Sequence, residues 1–218
     1  MSDTWACIAA LNEEETIGEI VNALRCQGFK VAVTDDGSQD MTGSKATAWG
    51  ATVHRHEAPR GIAAACMAAW RTALEGGATR LVQMDAGGSH QAEEANELLA
   101  IDADVVIGSR FLPGSRYVGR RWRAALSRLA AALCSVRIGG PWIADWTSGY
   151  RALTANAAYY LLNFCTYEAR MHGWQIEVLG KVLRAGLSVA EVPITYVAGP
   201  SSFDLSVARE AFQAWRRL

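Results

Sequence analysis

The run Leu81-Val82-Gln83-Met84-Asp85-Ala86-Gly87-Gly88-Ser89-His90 puts a carboxylate where strand-forming residues give way to two glycines. This is the pattern of a buried strand that stops at an acid on a tight turn. Ligands of open α/β sheets bind just beyond the carboxyl ends of such strands. One carboxylate there, beside exposed backbone N–H groups, suits a divalent cation or a diphosphate. Taken alone, Asp85 would serve equally as the cap of a helix over residues 91–100. A second acidic strand end, Val31-Ala32-Val33-Thr34-Asp35-Asp36-Gly37-Ser38, argues against two coincidental caps, although Asp-Gly is also a frequent turn pair.

Hydrophobic periodicity supplies the elements that must position these acids. Apolar runs predict strands over residues 5–11, 30–34, 51–54, 79–85, 104–108 and 188–196, with a further strand or turn over 145–153. Ile17, Ile20, Val21 and Leu24 stand at helical spacing in a segment that carries Glu13–Glu15 in its first turn and closes at Gly28. Helices are also predicted over 41–49, 62–74, 91–100, 121–136, 155–164 and 173–185, with an amphipathic tail over 204–218, and residues 111–118 read as a long loop. This alternation predicts an α/β fold in one domain, a mostly parallel central sheet with helices on both faces. The ends of its first, second, fourth and fifth strands share one edge. There Asn12, Glu13, Asp35, Asp36, the helix opened by Gly61, Asp85 and Arg110 converge, a set that fits a nucleotide bearing a diphosphate and a metal. A dinucleotide fold would need GxGxxG where the chain has Leu11-Asn12-Glu13-Glu14-Glu15. GxxxxGK is absent, and Gly108-Ser109-Arg110 is not GxSxG.

Composition narrows the setting. With 218 residues, 50 % hydrophobic and 20 % charged, the chain can fill one large domain. A net charge of -1 gives no global field toward nucleic acid or an anionic membrane, yet Arg110, Arg116, Arg120, Arg121, Arg123, Arg128 and Arg137 crowd one segment. The five cysteines are widely spaced without CxxC, which points to buried free thiols in a reducing compartment. No signal-peptide layout and no long apolar run stands out, so a cytoplasmic protein is expected. Met84 and the tryptophans read as core or pocket lining, and His54 and His56 as surface histidines.

Seven pieces in order carry a resemblance: Leu11-Asn12-Glu13, Thr34-Asp35-Asp36-Gly37-Ser38, Arg60-Gly61-Ile62-Ala63, Met84-Asp85-Ala86, Val106-Ile107-Gly108-Ser109-Arg110, Asp145-Trp146-Thr147-Ser148-Gly149-Tyr150-Arg151, and Gln175-Ile176-Glu177 with Glu191-Val192-Pro193-Ile194. Together they resemble a family 2 glycosyltransferase of the GT-A (Rossmann-like) fold, most closely the dolichyl-phosphate mannosyltransferase group. The resemblance implies transfer of a hexose, with inversion, from a nucleotide-sugar donor to a polyprenyl or dolichyl phosphate. It implies a donor half over residues 1–108, an acceptor half over 109–197 and a C-terminal helix over 204–218. Leu11, Asn12, Glu13, Asp35, Asp36, Gly61, Ala63, Asp85 and Ala86 would line the donor pocket, with Asp85 facing the metal and the diphosphate. Arg110 would meet phosphate, with Arg116, Arg121, Ser148, Arg151 and Asp145 on the acceptor side. A phosphate acceptor is already anionic and needs no strong base, so catalysis is positioning plus charge neutralisation. A hydroxyl acceptor would need a base, for which Asp145 is the candidate.

Two departures leave alternatives open. The family's Asp-x-Asp has Gly87 in its second place, with Ser89 two further on. Only Asp85, with His90 nearby, remains to hold Mg²⁺ or Mn²⁺, and such a site binds weakly and mostly through the substrate's phosphates. The segment Val197-Ala198-Gly199-Pro200-Ser201-Ser202-Phe203-Asp204-Leu205 lacks the family's Arg and Gly-x-Ser-Lys. Either the arginines at 116–123 take over, or the acceptor is not a lipid (a glycan, a metabolite or a modified nucleobase in DNA), or the chain binds nucleotide-sugars without turnover. Trp215-Arg216-Arg217, ending the tail, offers a peripheral membrane contact.

Overall fold

The computed structural model describes residues 3–169, 171, 173–199 and 205–218. Strands and helices alternate as β1 (Thr4–Ala10), α1 (Ile17–Cys26), β2 (Lys30–Asp35), α2 (Thr42–Ala48), β3 (Thr52–Arg55), α3 (Ile62–Glu75), β4 (Arg80–Asp85), α4 (Ala95–Leu99) and β5 (Val105–Ser109). They continue as β6 (Arg116–Val118), α5 (Arg121–Ile138), β7 (Arg151–Thr154), α6 (Ala155–Phe164), α7 (Gly173–Arg184), β8 (Val189–Pro193), β9 (Thr195–Val197) and α8 (Leu205–Arg217).

Seven strands form the central sheet in the order β3-β2-β1-β4-β7-β5-β8, parallel except for β7, which runs antiparallel to both β4 and β5. Both faces are covered, as a parallel sheet requires. Alternation along β1 sends Trp5 and Cys7 into one core with Trp70 of α3 and Trp174 of α7, and Ala6, Ile8 and Ala10 into the other with Ile17, Val21 and Leu24 of α1. The predicted fold class therefore holds. Because β1, β2, β4 and β5 point the same way, their carboxyl ends lie along one edge. The antiparallel β7 starts at that edge, so the loop before it, residues 145–150, is delivered to the same place.

Four local expectations are corrected. Residues 91–100 form a 3-10 turn, Ala92–Glu94, and then the short α4. The expected loop over 111–118 contains β6, which pairs with β9 as a parallel ribbon. The expected strand over 188–196 breaks at Ile194, whose N–H goes to Ser109 O (3.1 Å) while its carbonyl accepts from Arg116 N (3.0 Å). Ile194 thus carries the chain from sheet to ribbon. Finally, α1 starts at Ile17, which leaves Glu13, Glu14 and Glu15 outside the helix. Cys26 is exposed, against the expectation of five buried thiols, and His56 is buried. Residue 204, the first of the expected tail, lies with the preceding segment 200–203 outside the described residues.

Candidate active site

The first two strand ends are stitched into one rim. Asn12 adopts φ 55°, a left-handed conformation that asparagine tolerates better than most residues. Its N–H donates to Ser38 Oγ (3.0 Å), and its Oδ1 accepts from Gln39 N (2.9 Å). Glu13 N donates to Thr42 Oγ1 (2.8 Å). Leu11 beside them is 42 % exposed.

Asp35 and Asp36, expected to line the donor pocket, do not present free carboxylates: both are engaged within the chain. Asp35 is fully buried, bonded by Ser38 N (2.9 Å) and paired with Arg55. Asp36 Oδ1 takes His56 Nδ1 (2.6 Å) and Arg60 N (2.9 Å), and its Oδ2 takes Gly61 N (2.8 Å). It fastens the entry of α3. Gly61 sits there at φ 93° with no side-chain cap, so the first-turn N–H groups of α3 stay open to an anion. Ala63 is buried in the core and offers only its backbone.

Asp85 ends β4 with its side chain 39 % exposed. Its backbone N–H donates to His90 Nδ1 (3.3 Å), which places the imidazole proton on Nε2 and leaves neither ring nitrogen suited to a cation. The expectation that His90 assists Asp85 with a metal is therefore corrected: His90 holds the Asp85 backbone. Burial is the main cause holding His90 below its ordinary range, partly offset by the charge of Asp85. Ala86 is buried, and its carbonyl accepts from Thr16 Oγ1 (2.7 Å).

Glu13 stands beside Gly87. A Cβ at Gly87 would lie 3.3 Å from Glu13 Oε1, so the Glu13 carboxylate fills space beside the missing acid. Burial raises its pKa; a hydrogen bond from Thr16 opposes this and the Asp85 charge adds to it. No cluster of three His, Cys, Asp or Glu exists among the described residues. Two carboxylates that repel one another fit a Mg²⁺ or Mn²⁺ ion that draws its remaining ligands from water and substrate phosphate.

On the other side Arg110, just past β5, is locked to Asp145. Its Nε and Nη2 donate to the two carboxylate oxygens (2.7 Å each) and Nη2 also reaches Thr147 Oγ1 (2.6 Å). The rings of Tyr196 and Phe111 lie 5.1 and 5.2 Å from the guanidinium carbon. Asp145 is fully buried. Burial alone would raise its pKa, but the charge and hydrogen bonds of Arg110 outweigh it and hold Asp145 below the usual range. That corrects its role as a candidate base: Asp145 orients Arg110. Glu191 braces the pair by accepting from Ala144 N (2.8 Å) and Asp145 N (3.0 Å).

Two other acceptor-side expectations are corrected by burial. Ser148 gives its hydroxyl to Gly108 O (2.6 Å). Arg151 is 1 % exposed, its Nε and Nη2 donating to the carbonyls of Ser148 and Trp146 (3.0 Å each). Both build the floor under the site. Arg116 on β6 and Arg121 at the start of α5 are exposed. Sequence reasoning missed the aromatic series that joins the acidic and basic sides, Tyr150–His90–Tyr196–Tyr117, with successive ring centroids 4.8, 5.4 and 5.8 Å apart. It gave no role to Glu191 either, although its motif was visible.

Comparison with known proteins follows the same lines. The sequence profile described as "Glycosyl transferase family 2" matches residues 5–171. A polyprenol monophosphomannose synthase of Mycolicibacterium smegmatis is 33 % identical, covering 95 % of this chain and 83 % of that protein. An undecaprenyl-phosphate mannosyltransferase of Micrococcus luteus is 35 % identical, covering 94 % and 88 %. Among solved structures, glucosyl-3-phosphoglycerate synthase from Mycobacterium tuberculosis, in complex with Mn²⁺, UDP and phosphoglyceric acid, superposes with a TM-score of 0.69 at 19 % identity, over 98 % of this chain and 78 % of that one. At that identity the likeness is one of fold.

Proposed function

The chain belongs to glycosyl transferase family 2 and has the GT-A fold, and we propose that it moves a hexose from a nucleotide-sugar to a polyprenyl phosphate with inversion at the anomeric carbon. One observation carries this reading: likeness over nearly the whole chain to two proteins named for lipid-phosphate mannosyl transfer. The site's chemistry agrees with it. Glu13 and Asp85 stand on the donor side, the uncapped first turn of α3 can receive an anion, and Arg110 stands on the acceptor side with Nη1 outside its pairing with Asp145.

In this mechanism the acceptor's phosphate oxygen attacks the anomeric carbon from the face opposite the nucleoside diphosphate. The C–O bond to the diphosphate breaks, and both electrons leave with it. The attacking oxygen is already anionic, so the locked state of Asp145 costs the reaction nothing. Arg110 positions the acceptor phosphate, and the α3 N-terminus and its first-turn N–H groups neutralise the departing charge. Asp85 and Glu13 would hold a divalent cation, which supplies charge stabilisation at the diphosphate. No helix among the described residues is long and apolar enough to cross a membrane, so a lipid-linked acceptor would be met at the protein surface.

The test is transfer from UDP-, GDP- and dTDP-hexoses to a short, water-soluble prenyl phosphate, with and without Mn²⁺. Product of inverted configuration is expected with one donor. Transfer only to a non-lipid acceptor, or donor binding without turnover, would overturn the proposal. Asp85→Asn should lower kcat at least ~100-fold with an unchanged thermal midpoint. Gly87→Asp should tighten Mn²⁺ binding about tenfold by calorimetry in the presence of the nucleoside diphosphate.

A further inference from the structure

Helix α5 is turned inside out. Its buried residues are the small ones, Ala124, Ala131, Cys134 and Ser135. Its large apolar residues face outward: Trp122, Leu126, Leu129, Leu133 and Val136 are 44, 44, 56, 49 and 76 % exposed. Spacings of four and three put these five on one line along the helix, roughly 21 Å long at 1.5 Å per residue. Trp142, 68 % exposed, follows its C-terminal end. The strip also widens sideways. Trp215 Nε1 of α8 donates to Leu133 O (3.1 Å), and Phe212, 56 % exposed, stacks on Trp215. An exposed apolar stripe of this length marks an interaction surface rather than a solvated face.

The charge pattern selects the partner. Residues 109–144 contain seven arginines and no aspartate, glutamate or lysine, in a chain whose net charge is -1. Arg120, Arg121, Arg128 and Arg137 are exposed in or next to α5. A second copy could match the four-and-three spacing, but it would bring arginines against arginines, without one carboxylate on either helix to meet them. A phosphate-bearing surface meets all of them. Tryptophans at both ends of the strip suit the boundary between headgroups and acyl chains.

We propose that this face of α5, extended by Phe212 of α8, lies in the plane of an anionic lipid bilayer, apolar side chains in the acyl boundary and arginines among the phosphates. The surface adjoins the site through one ring: Phe111 lies 5.2 Å from the Arg110 guanidinium carbon and 4.8 Å from that of Arg128 on α5. A lipid phosphate at the bilayer surface would then lie beside Arg110. The proposal deepens the lipid-phosphate reading and rests on it for the purpose of the surface.

The experiment is co-sedimentation of the full chain with vesicles of phosphatidylcholine, alone or mixed with phosphatidylglycerol. Partitioning onto the anionic vesicles should exceed that onto the neutral ones by about tenfold and weaken with salt. The variant Leu126→Gln/Leu129→Gln/Leu133→Gln should bind anionic vesicles at least ~10-fold less, with an unchanged thermal midpoint. It should keep full transfer to the short soluble acceptor and lose transfer to a long-chain acceptor embedded in vesicles. Arg128→Glu/Arg137→Glu should also release the chain from anionic vesicles. Absence of vesicle binding, or equal binding by the leucine variant, would overturn the proposal. So would a concentration-dependent dimer that the leucine variant abolishes, which assigns the face to a second copy. Vesicle binding with no transfer to any prenyl phosphate would retain the docking surface and remove the proposed reaction.

Discussion

Arg110 and Asp145 form a pair in which each charge justifies the burial of the other. Removing one partner leaves a buried charge uncompensated, which costs about 3–5 kcal/mol. Arg110→Ala and Asp145→Ala should each lower the urea midpoint strongly, and the double variant should recover part of the loss. Additive losses in this cycle would show that the two do not couple. His90 titrates the site from its other side. Its folded pKa lies below the ordinary 6.5, so its neutral form contributes stability at and above that pH. This contribution is lost as pH falls from 6.5 through the folded value. Unfolding midpoints between pH 7.5 and 5 should therefore fall more steeply for the wild type than for His90→Gln; parallel curves would remove His90 as the source. Asp85 and Arg110 were legible in the sequence because each follows a strong strand pattern. Ser148 and Arg151 were not, because the residue count before a strand says nothing about which neighbours will consume a hydroxyl or a guanidinium.

At the level of elements, glycine sets how closely the ribbon can approach the sheet. A Cβ on Gly108 would sit 2.9 Å from Ile194 Cγ2 and 3.2 Å from Tyr150 Cβ. Gly108→Ala should therefore destabilise the protein by roughly 1–3 kcal/mol. It should also shift Arg110 two residues on, so that kcat falls beyond what the lost stability explains; a variant with normal stability and rate would show that the contact can relax. The long helices and parallel strands were readable from periodicity. The ribbon was not: Arg116-Tyr117-Val118 is three residues among arginines and glycines, and its pairing with Thr195-Tyr196-Val197 is a tertiary decision. Glu94 takes part in that decision, since its carboxylate accepts from Thr195 N (3.0 Å) at the point where β8 gives way to β9. The brevity of α4 was equally hidden, because Gln91-Ala92-Glu93-Glu94 has good helical composition yet opens in 3-10 geometry.

Across the whole molecule, β4 and β5 are not neighbours in the sheet. Each pairs with β7, so four residues connect the two parts of the sheet. The alternation of strands and helices predicted the architecture, but not this insertion, because strand order depends on long-range pairing that local pattern does not encode. The sheet consequently does not divide at residue 108. A fragment of residues 1–108 exposes the β4 edge and deprives Trp70 of Trp174, which packs 5.4 Å away. It should lack a cooperative thermal transition and dispersed amide resonances; cooperative unfolding of that fragment would show that β7 is dispensable.

The insertion also has a consequence during synthesis. Val82 of β4 pairs early with Ala6 of β1 but finds its partner on the other edge only when Ala152 emerges, about 70 residues later, which at 5–20 residues per second is roughly 4–14 s of translation. Throughout that interval the nascent sheet carries an open apolar edge, the feature that chaperones bind and that aggregation recruits. Yield of the folded enzyme should therefore depend on elongation rate and on chaperone supply while residues 86–152 are being made.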